Sequence, residues 1–244
     1  MTYSRFHWIF NFPFLLLCAV LAGPSFWTAP ILTAVALVLS LVMVFTTPWD
    51  NYAVAQGIWG FPRNRFSLKI WHLPIEEYAF FLIESIQVML LTTFLFQCFP
   101  QFESWENPYG ITHPLVGIVV GSILLGWLVL GLWGRKRINA QSCYHYAWHL
   151  LFWFVPIIFL QWAVAWDVVL PRWPVLLGVT FLVGTYLSIA DYIAIDKGIW
   201  HFDAKQITGH KFGGKMPWEE AAFFYLTAFL VAQSFIILLP EQLR

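Results

Sequence analysis

Apolar residues dominate seven stretches of the chain, and shorter segments rich in polar and charged residues separate them. A helix that crosses a bilayer needs roughly 20 mostly apolar residues. On that scale the pattern predicts seven transmembrane helices, near residues 7–22, 30–48, 74–98, 114–133, 144–166, 172–190 and 217–239. Asp50 and Asp191 are expected just beyond the ends of the second and sixth helices. The predicted fold is an all-α, polytopic membrane protein.

Composition and charge support this class and add an orientation. The 244 residues are 60% hydrophobic and 11% charged, whereas soluble domains carry roughly 25% charged residues. On the predicted topology, all thirteen Lys and Arg residues except Arg172 and Arg244 fall on the side of the N-terminus. Because cytoplasmic loops are enriched in Lys and Arg, we expect a multi-pass protein of the cell membrane with a cytoplasmic N-terminus and the C-terminus opposite. The balanced net charge gives no indication of a nucleic-acid partner.

Two segments of the chain occur twice. "LPIEEYAFF" at 73–81 matches "MPWEEAAFF" at 216–224, and "DNYAVAQGIWGF" at 50–61 aligns with "DYIAIDKGIWHF" at 191–202. The matches predict two three-helix repeats, 1–100 and 141–244, joined by a linking segment, 101–140, that contains the fourth helix. That extra crossing gives both repeats the same orientation, so both Glu-Glu pairs should face the cytoplasm. Parallel repeats commonly form a shared site at their interface.

The paired glutamates have a structural and a functional interpretation. Proline is pre-organised for the first position of a helix, and carboxylates in the first turn are stabilised by the helix dipole by about 0.3–1 kcal/mol. A single carboxylate would suffice for that, yet both copies carry two, and adjacent helical residues point about 100° apart. One acid of each pair is therefore expected to face the bundle. We predict Glu76 and Glu219 as the central acid/base pair. Glu77 and Glu220 are predicted to assist.

Three further acids and six aromatic residues are candidates for the same site. Asp50 and Asp191 occupy matched positions, and Glu84 lies ten residues past Pro74, ~15 Å along the helix. A carboxyl group near mid-membrane is costly when ionised and should be protonated or paired, and a purely structural hydrogen-bonded role is the alternative for Glu84. Ring faces attract cations. The predicted substrate-binding residues are Phe80, Phe81, Phe223, Phe224, Trp59 and Trp200.

These motifs resemble those of the membrane-integral, flavin-independent lycopene cyclases, in which Pro-x-Glu-Glu followed by Phe-Phe stands once in each half. Some members of that family have separate subunits, whereas here both halves lie in one chain. The resemblance covers essentially the whole chain. It implies an intramolecular lyase or isomerase in carotenoid biosynthesis that closes the linear end groups of lycopene into rings, expected to be β rings, through a carbocation. It also implies lycopene and membrane lipid as partners, and association with other carotenoid enzymes.

No cofactor or metal is predicted. No GxGxxG follows a strand pattern, and Cys18, Cys98 and Cys143 lack the spacing of a metal site or a disulfide framework. Two alternatives stay open: a cyclase of longer, C50-type carotenoids would share the motifs, and a proton-coupled transporter could use parallel repeats with membrane acids. A retinal-binding photoreceptor is disfavoured because the predicted spans contain no lysine.

Overall fold

A computed structural model of the protein describes residues 1–99, 112–135 and 137–243. The first part of the predicted linking segment, 101–111, and Arg244 lie outside the described residues. Six apolar helical stretches in the described part are long enough to cross a membrane, as in an all-α polytopic membrane protein. We number the long helices α1 (Tyr3–Ala22), α2 (Ala29–Ala55), α3 (Ile75–Cys98), α4 (His113–Gly134), α5 (His145–Val169), α6 (Trp173–Asp196) and α7 (Trp218–Leu238).

The longest apolar stretch, His145–Asp196, contains both α5 and α6. Its 52 residues would extend for ~78 Å as one helix, more than twice the thickness of a bilayer core. Ala165 has non-helical dihedral angles, and a 3-10 turn, Leu170–Arg172, separates the two parts. Tyr146, at the start of α5, and Asp191, near the end of α6, line the same cavity, so the stretch folds back on itself. The count of seven crossings and the two-repeat organisation stay predictions.

Helices α2 and α6 run further than the hydropathy pattern predicts. The expected ends were residues 48 and 190, but the helices continue to Ala55 and Asp196. Each ends where a glycine with positive φ follows, Gly57 (φ 72°) or Gly198 (φ 62°). Left-handed glycine at this position is a common helix stop, and a fall in hydropathy does not end a helix. Asp50 and Asp191 therefore lie inside the last turns of their helices, which corrects their expected placement beyond the helix ends.

Short strand pairs, absent from the sequence prediction, organise the loops at one end of the bundle. β1 (Trp59–Gly60) pairs antiparallel with β4 (His201–Phe202), which places Trp59 opposite Phe202. Two local ladders, β2 (Lys69–Ile70) with β3 (Leu73–Pro74) and β5 (Lys211–Phe212) with β6 (Met216–Pro217), lead into α3 and α7. The β1–β4 pair links the two matched loops, together with hydrogen bonds from Gln206 Nε2 to the carbonyl oxygens of Gln56 and Gly57.

Helices α3 and α7 form the centre of the bundle. In their apolar windows 67% and 56% of the residues are buried, compared with 11% in α4. Pro74 and Pro217 cap the two central helices with nearly identical dihedral angles, φ −57° and ψ 147° against φ −58° and ψ 145°. Both glutamate pairs thus enter the first turn of a buried helix with the same geometry.

Candidate active site

The ends of six helices and the β1–β4 loops line a partly open pocket with about 410 Å³ of space between atoms, here called the acidic cavity. Its lining combines four carboxyl groups, two phenols and eight other aromatic side chains, and none of these residues is basic. They are Tyr3, Trp49, Asp50, Trp59, Phe61, Glu77, Phe80, Tyr146, Asp191, Trp200, Phe202, Glu220, Phe223 and Phe224. In the described part of the chain, no three His, Cys, Asp or Glu side chains are grouped as a metal site.

Each glutamate of the acidic cavity is held by a tyrosine from the start of another helix. The Tyr3 hydroxyl donates to Glu77 Oε2 at 2.8 Å, and the Tyr146 hydroxyl donates to Glu220 Oε2. Both tyrosines are 1% exposed. A hydrogen bond to one oxygen fixes the orientation of the carboxyl group and leaves the other oxygen free for a reaction.

A tryptophan from the loop that follows the helix lines the acidic cavity with each aspartate. Trp200 Nε1 donates to Asp191 Oδ1 at 2.9 Å, and Trp59, at the matched position, lines the cavity with Asp50. Asp50 Oδ1 and Asp191 Oδ2 are buried without a hydrogen-bond partner in the described structure. A buried polar atom without a partner costs free energy. Glu76 Oε2 and Glu219 Oε2 share this property, so the two aspartates are candidates for a role other than folding because of their place in the acidic cavity.

The aromatic walls join residues from both ends of the chain. The Tyr3 ring lies 5.0 Å from that of Trp200, and the Tyr146 ring lies 5.1 Å from that of Trp59. Each tyrosine therefore holds a glutamate of its own part of the chain while it packs on the tryptophan of the other part. The acidic cavity is complete only when both parts are assembled.

Glu76 and Glu219, the predicted central pair, do not line the acidic cavity. Glu76 Oε1 accepts hydrogen bonds from Ser4 Oγ at 2.8 Å and from the amide and hydroxyl of Ser67 at 3.0 and 2.8 Å. Glu219 Oε1 accepts from the Thr208 amide at 2.7 Å. In this structure the two side chains attach loops to the first turns of α3 and α7.

Glu84 and Phe81 also lie apart from the acidic cavity. Both line a second, partly open cavity with about 700 Å³ of space between atoms. Glu84 Oε1 accepts a hydrogen bond from Thr227 Oγ1 at 2.7 Å, and Thr227 is the residue at the matched position of the other copy. Glu84 follows Glu77 by seven residues, which is ~10 Å along α3. The remaining predicted residues, namely Glu77, Glu220, Asp50, Asp191, Trp59, Trp200, Phe80, Phe223 and Phe224, meet in the acidic cavity.

Comparison with known proteins identifies relatives over most of the chain. The lycopene beta-cyclase of Halobacterium salinarum is 32% identical over 203 residues, which cover 83% of this chain and 81% of that protein. The chain belongs to the lycopene cyclase family. No family model matches the sequence, and no solved structure matches it.

Lycopene cyclase relatives also occur as parts of larger proteins. The bifunctional lycopene cyclase/phytoene synthase of Arthroderma gypseum is 27% identical over 247 residues, 95% of this chain and 40% of that protein. The corresponding protein of Phycomyces blakesleeanus is 26% identical over 93% of this chain and 37% of its own length. The present chain therefore matches well under half of each fungal protein.

Two residues that hold the glutamates of this lycopene cyclase family member escaped the sequence analysis. Tyr3 and Tyr146 lie outside the motifs used to align the repeats, in segments that otherwise share little, "TYSRFHW" and "HYAWHLL". One signal was present: the separation between the tyrosines equals that between Glu77 and Glu220. Extending the alignment back to the first helix of each repeat would have paired them.

Proposed function

We propose that the protein is a lycopene cyclase in which Glu77 and Glu220 act as acid and base. The observation that carries the proposal is the gathering of four carboxyl groups in one aromatic cavity of a lycopene cyclase family member. Glu77 and Glu220 take precedence over Glu76 and Glu219 because the former line the cavity, whereas the latter accept hydrogen bonds from loops.

The proposed reaction is an isomerisation that balances in protons and electrons. A carboxylic acid adds its proton to the terminal double bond of a linear end group and leaves a tertiary carbocation. The neighbouring double bond attacks the cation, which closes a six-membered ring and moves the positive charge into it. A carboxylate then removes one ring proton, and removal from the position that gives a β ring is the expected outcome. One proton enters and one leaves, and no electron is transferred.

The cavity walls suit this intermediate. Aromatic faces stabilise a nearby cation by about 0.5–2 kcal/mol each, and packed rings exclude water that would otherwise add to the cation. After each turnover the acid has lost a proton and the base has gained one. Asp50 and Asp191, each with a partnerless oxygen, are proposed to pass the proton back between the two glutamates.

The proposal places the reaction at the cytoplasmic end of a multi-pass protein in the cell membrane. The orientation rests on the excess of Lys and Arg in the loops on the side of the N-terminus. Lycopene would reach the enzyme dissolved in membrane lipid. The proposed organisation is two parallel three-helix units, 1–100 and 141–244, that share one site.

The test is glutamine substitution at all four glutamates in a bacterium that accumulates lycopene. Glu77→Gln and Glu220→Gln should each lower ring formation by about 10²–10⁴-fold, the usual contribution of general acid–base catalysis. Glu76→Gln and Glu219→Gln are the matched controls, because they remove a neighbouring charge on the same helix turn. Pigments are separated by chromatography, and activity is expressed per amount of membrane protein.

Full ring formation by both Glu77→Gln and Glu220→Gln would refute the assignment. Failure of the unsubstituted protein to cyclise lycopene would refute the substrate, and supply of a C50 precursor would then test the longer-chain alternative. In deuterated water, deuterium in the new ring without net oxidation of the pigment is the expected signature of protonation.

A further inference from the structure

The second cavity, about 700 Å³, lies among α2, α3, α5 and α7 and is here called the lateral shaft. Its lining is mostly apolar. Along α2 it extends from Thr46 to Val38, ~6–18 Å from the level of Asp50 at 1.5 Å per residue. Along α7 it extends from Phe223 to Ser234, ~5–21 Å from the level of Glu220. The shaft is therefore elongated along the bundle axis and begins where the acidic cavity ends.

A single aromatic residue is shared by the two cavities. Phe223 lines both, and its ring lies 5.2 Å from that of Trp49 in a nearly parallel stack. The acidic cavity and the lateral shaft are thus separated by side chains, which can change rotamer more readily than a helix can move. A long molecule in the shaft would present one end to the carboxyl groups.

The lateral shaft opens sideways between α2 and α5. Leu41 and Phe45, which line it from α2, are 44% and 43% exposed, and Phe45 also lines a wider apolar pocket with Leu124, Trp127 and Leu128 of α4. In a helix that crosses a bilayer this surface faces lipid tails. A hydrophobic molecule dissolved in the membrane can therefore reach the shaft without passing through water.

The corresponding face of the bundle, between α1 and α6, is closed. Tyr186 corresponds to Phe45 by the same separation that relates Asp191 to Asp50. Its ring stacks on Phe14 at 3.9 Å, and its hydroxyl donates to the Phe10 carbonyl oxygen at 2.8 Å. The hydroxyl of Tyr186 fixes its ring across the gap between α1 and α6. Phe45 has no hydroxyl to be fixed in this way across the gap between α2 and α5.

We propose that the lateral shaft is the binding site for the chain of a long linear polyene, which enters from the bilayer between α2 and α5. Its reactive end lies in the acidic cavity, and the contacts of Tyr186 close the corresponding gap between α1 and α6 in the described structure. This inference rests on the proposed function and adds where the substrate lies. It follows that a molecule with two reactive ends must leave the shaft and turn before its second end can react.

The test compares two matched leucines on α2 and α6. Leu41 lines the lateral shaft, and Leu182, at the corresponding position of α6, is similarly exposed, 50% against 44%. Leu41→Trp should lower ring formation at least tenfold per amount of protein, because the indole occupies the mouth of the shaft. Leu182→Trp should retain the activity of the unsubstituted protein. Equal activity of the two variants would overturn the proposal.

A binding measurement decides the matter even if Leu41→Trp does not accumulate. Leu41→Cys and Leu182→Cys, each combined with Glu220→Gln, are reconstituted in vesicles with or without lycopene and treated with a lipophilic maleimide. Mass spectrometry of the peptide containing each new cysteine gives its alkylation rate. Lycopene should slow alkylation severalfold at Leu41→Cys and leave Leu182→Cys unchanged. If lycopene changes the alkylation rate of both cysteines by the same factor, the shaft is not the binding site. Absence of rings from the unsubstituted enzyme would instead count against the proposed function.

Discussion

Replacing Tyr146 by phenylalanine removes one hydroxyl group from the wall of the acidic cavity. That hydroxyl donates to Glu220 Oε2, and the ring that carries it packs at 5.1 Å from Trp59. Phenylalanine keeps the ring contact, so the substitution isolates the hydrogen bond. Without it, Glu220 can rotate, and its carboxyl group is no longer fixed in the acidic cavity.

The expected loss follows from the strength of such a bond. Hydrogen bonds to charged groups contribute about 1.5–3 kcal/mol, and each 1.36 kcal/mol corresponds to a tenfold change in rate. Tyr146→Phe should therefore slow ring formation roughly 10- to 150-fold. With Glu220 as the base, its displacement also favours removal of a different ring proton, so the proportion of ε or γ rings among the products should rise.

The assay is conversion of lycopene in membranes, with chromatographic separation of the ring isomers. Tyr225→Phe is the matched control, because Tyr225 makes a comparable 2.8 Å hydroxyl contact with Thr185 but does not line the acidic cavity. It should change neither rate nor ring type. The isomer ratio does not depend on how much enzyme folds, so it separates positioning from stability. An unchanged rate and isomer ratio in Tyr146→Phe would refute the reasoning.

Two further predictions concern the packing of α7. A side chain at Gly184 would meet Tyr225 Cδ1 at 2.7 Å, so Gly184→Val should destabilise the fold by about 1–3 kcal/mol. The loss is measured as a lower thermal transition in detergent, and Gly184→Ala should lower it less. A valine variant as stable as the unsubstituted protein would contradict close α6–α7 packing. Thr227→Val removes the 2.7 Å hydrogen bond to Glu84 and should cost about 1–3 kcal/mol because a buried carboxyl group loses its partner. Thr227→Ser should restore most of that loss, and failure of serine to do so would show that the methyl group matters more than the hydroxyl.

The helices were predictable because the bilayer sets their length. The expected span 74–98 differs by one residue from Ile75–Cys98, and 217–239 differs by one residue at each end from Trp218–Leu238. The larger errors lie at the ends of α2 and α6, where Gly57 and Gly198 stop the helix. A hydropathy pattern contains no information on left-handed backbone conformation. The "GIW" segment shared by the two copies did contain it, because its glycine is the residue with positive φ.

Which glutamate of each pair faces the cavity could not be predicted from helical periodicity alone. Adjacent residues differ by about 100°, and either could have faced the bundle. The choice is made by groups in the loop that precedes each helix, since Ser67 and Thr208 donate to Glu76 and Glu219 from nine and eleven residues earlier, and helical periodicity contains no information on how a loop folds back. The π-helical turn His7–Asn11, which follows Tyr3 and changes the rotational phase of α1, was equally invisible to a pattern of apolar residues.

Helix α4 contributes to neither the acidic cavity nor the lateral shaft. It packs on α5 through small residues, and a side chain at Gly131 would meet Phe152 Cε2 at 2.0 Å. The contribution of α4 to the site is to connect the segment that contains α1–α3 with the segment that contains α5–α7. This tether sets the effective concentration of one segment around the other, on the millimolar scale typical of tethered partners. A protein cut within α4 would have to find its other part by diffusion in the membrane, and its activity would become dependent on expression level.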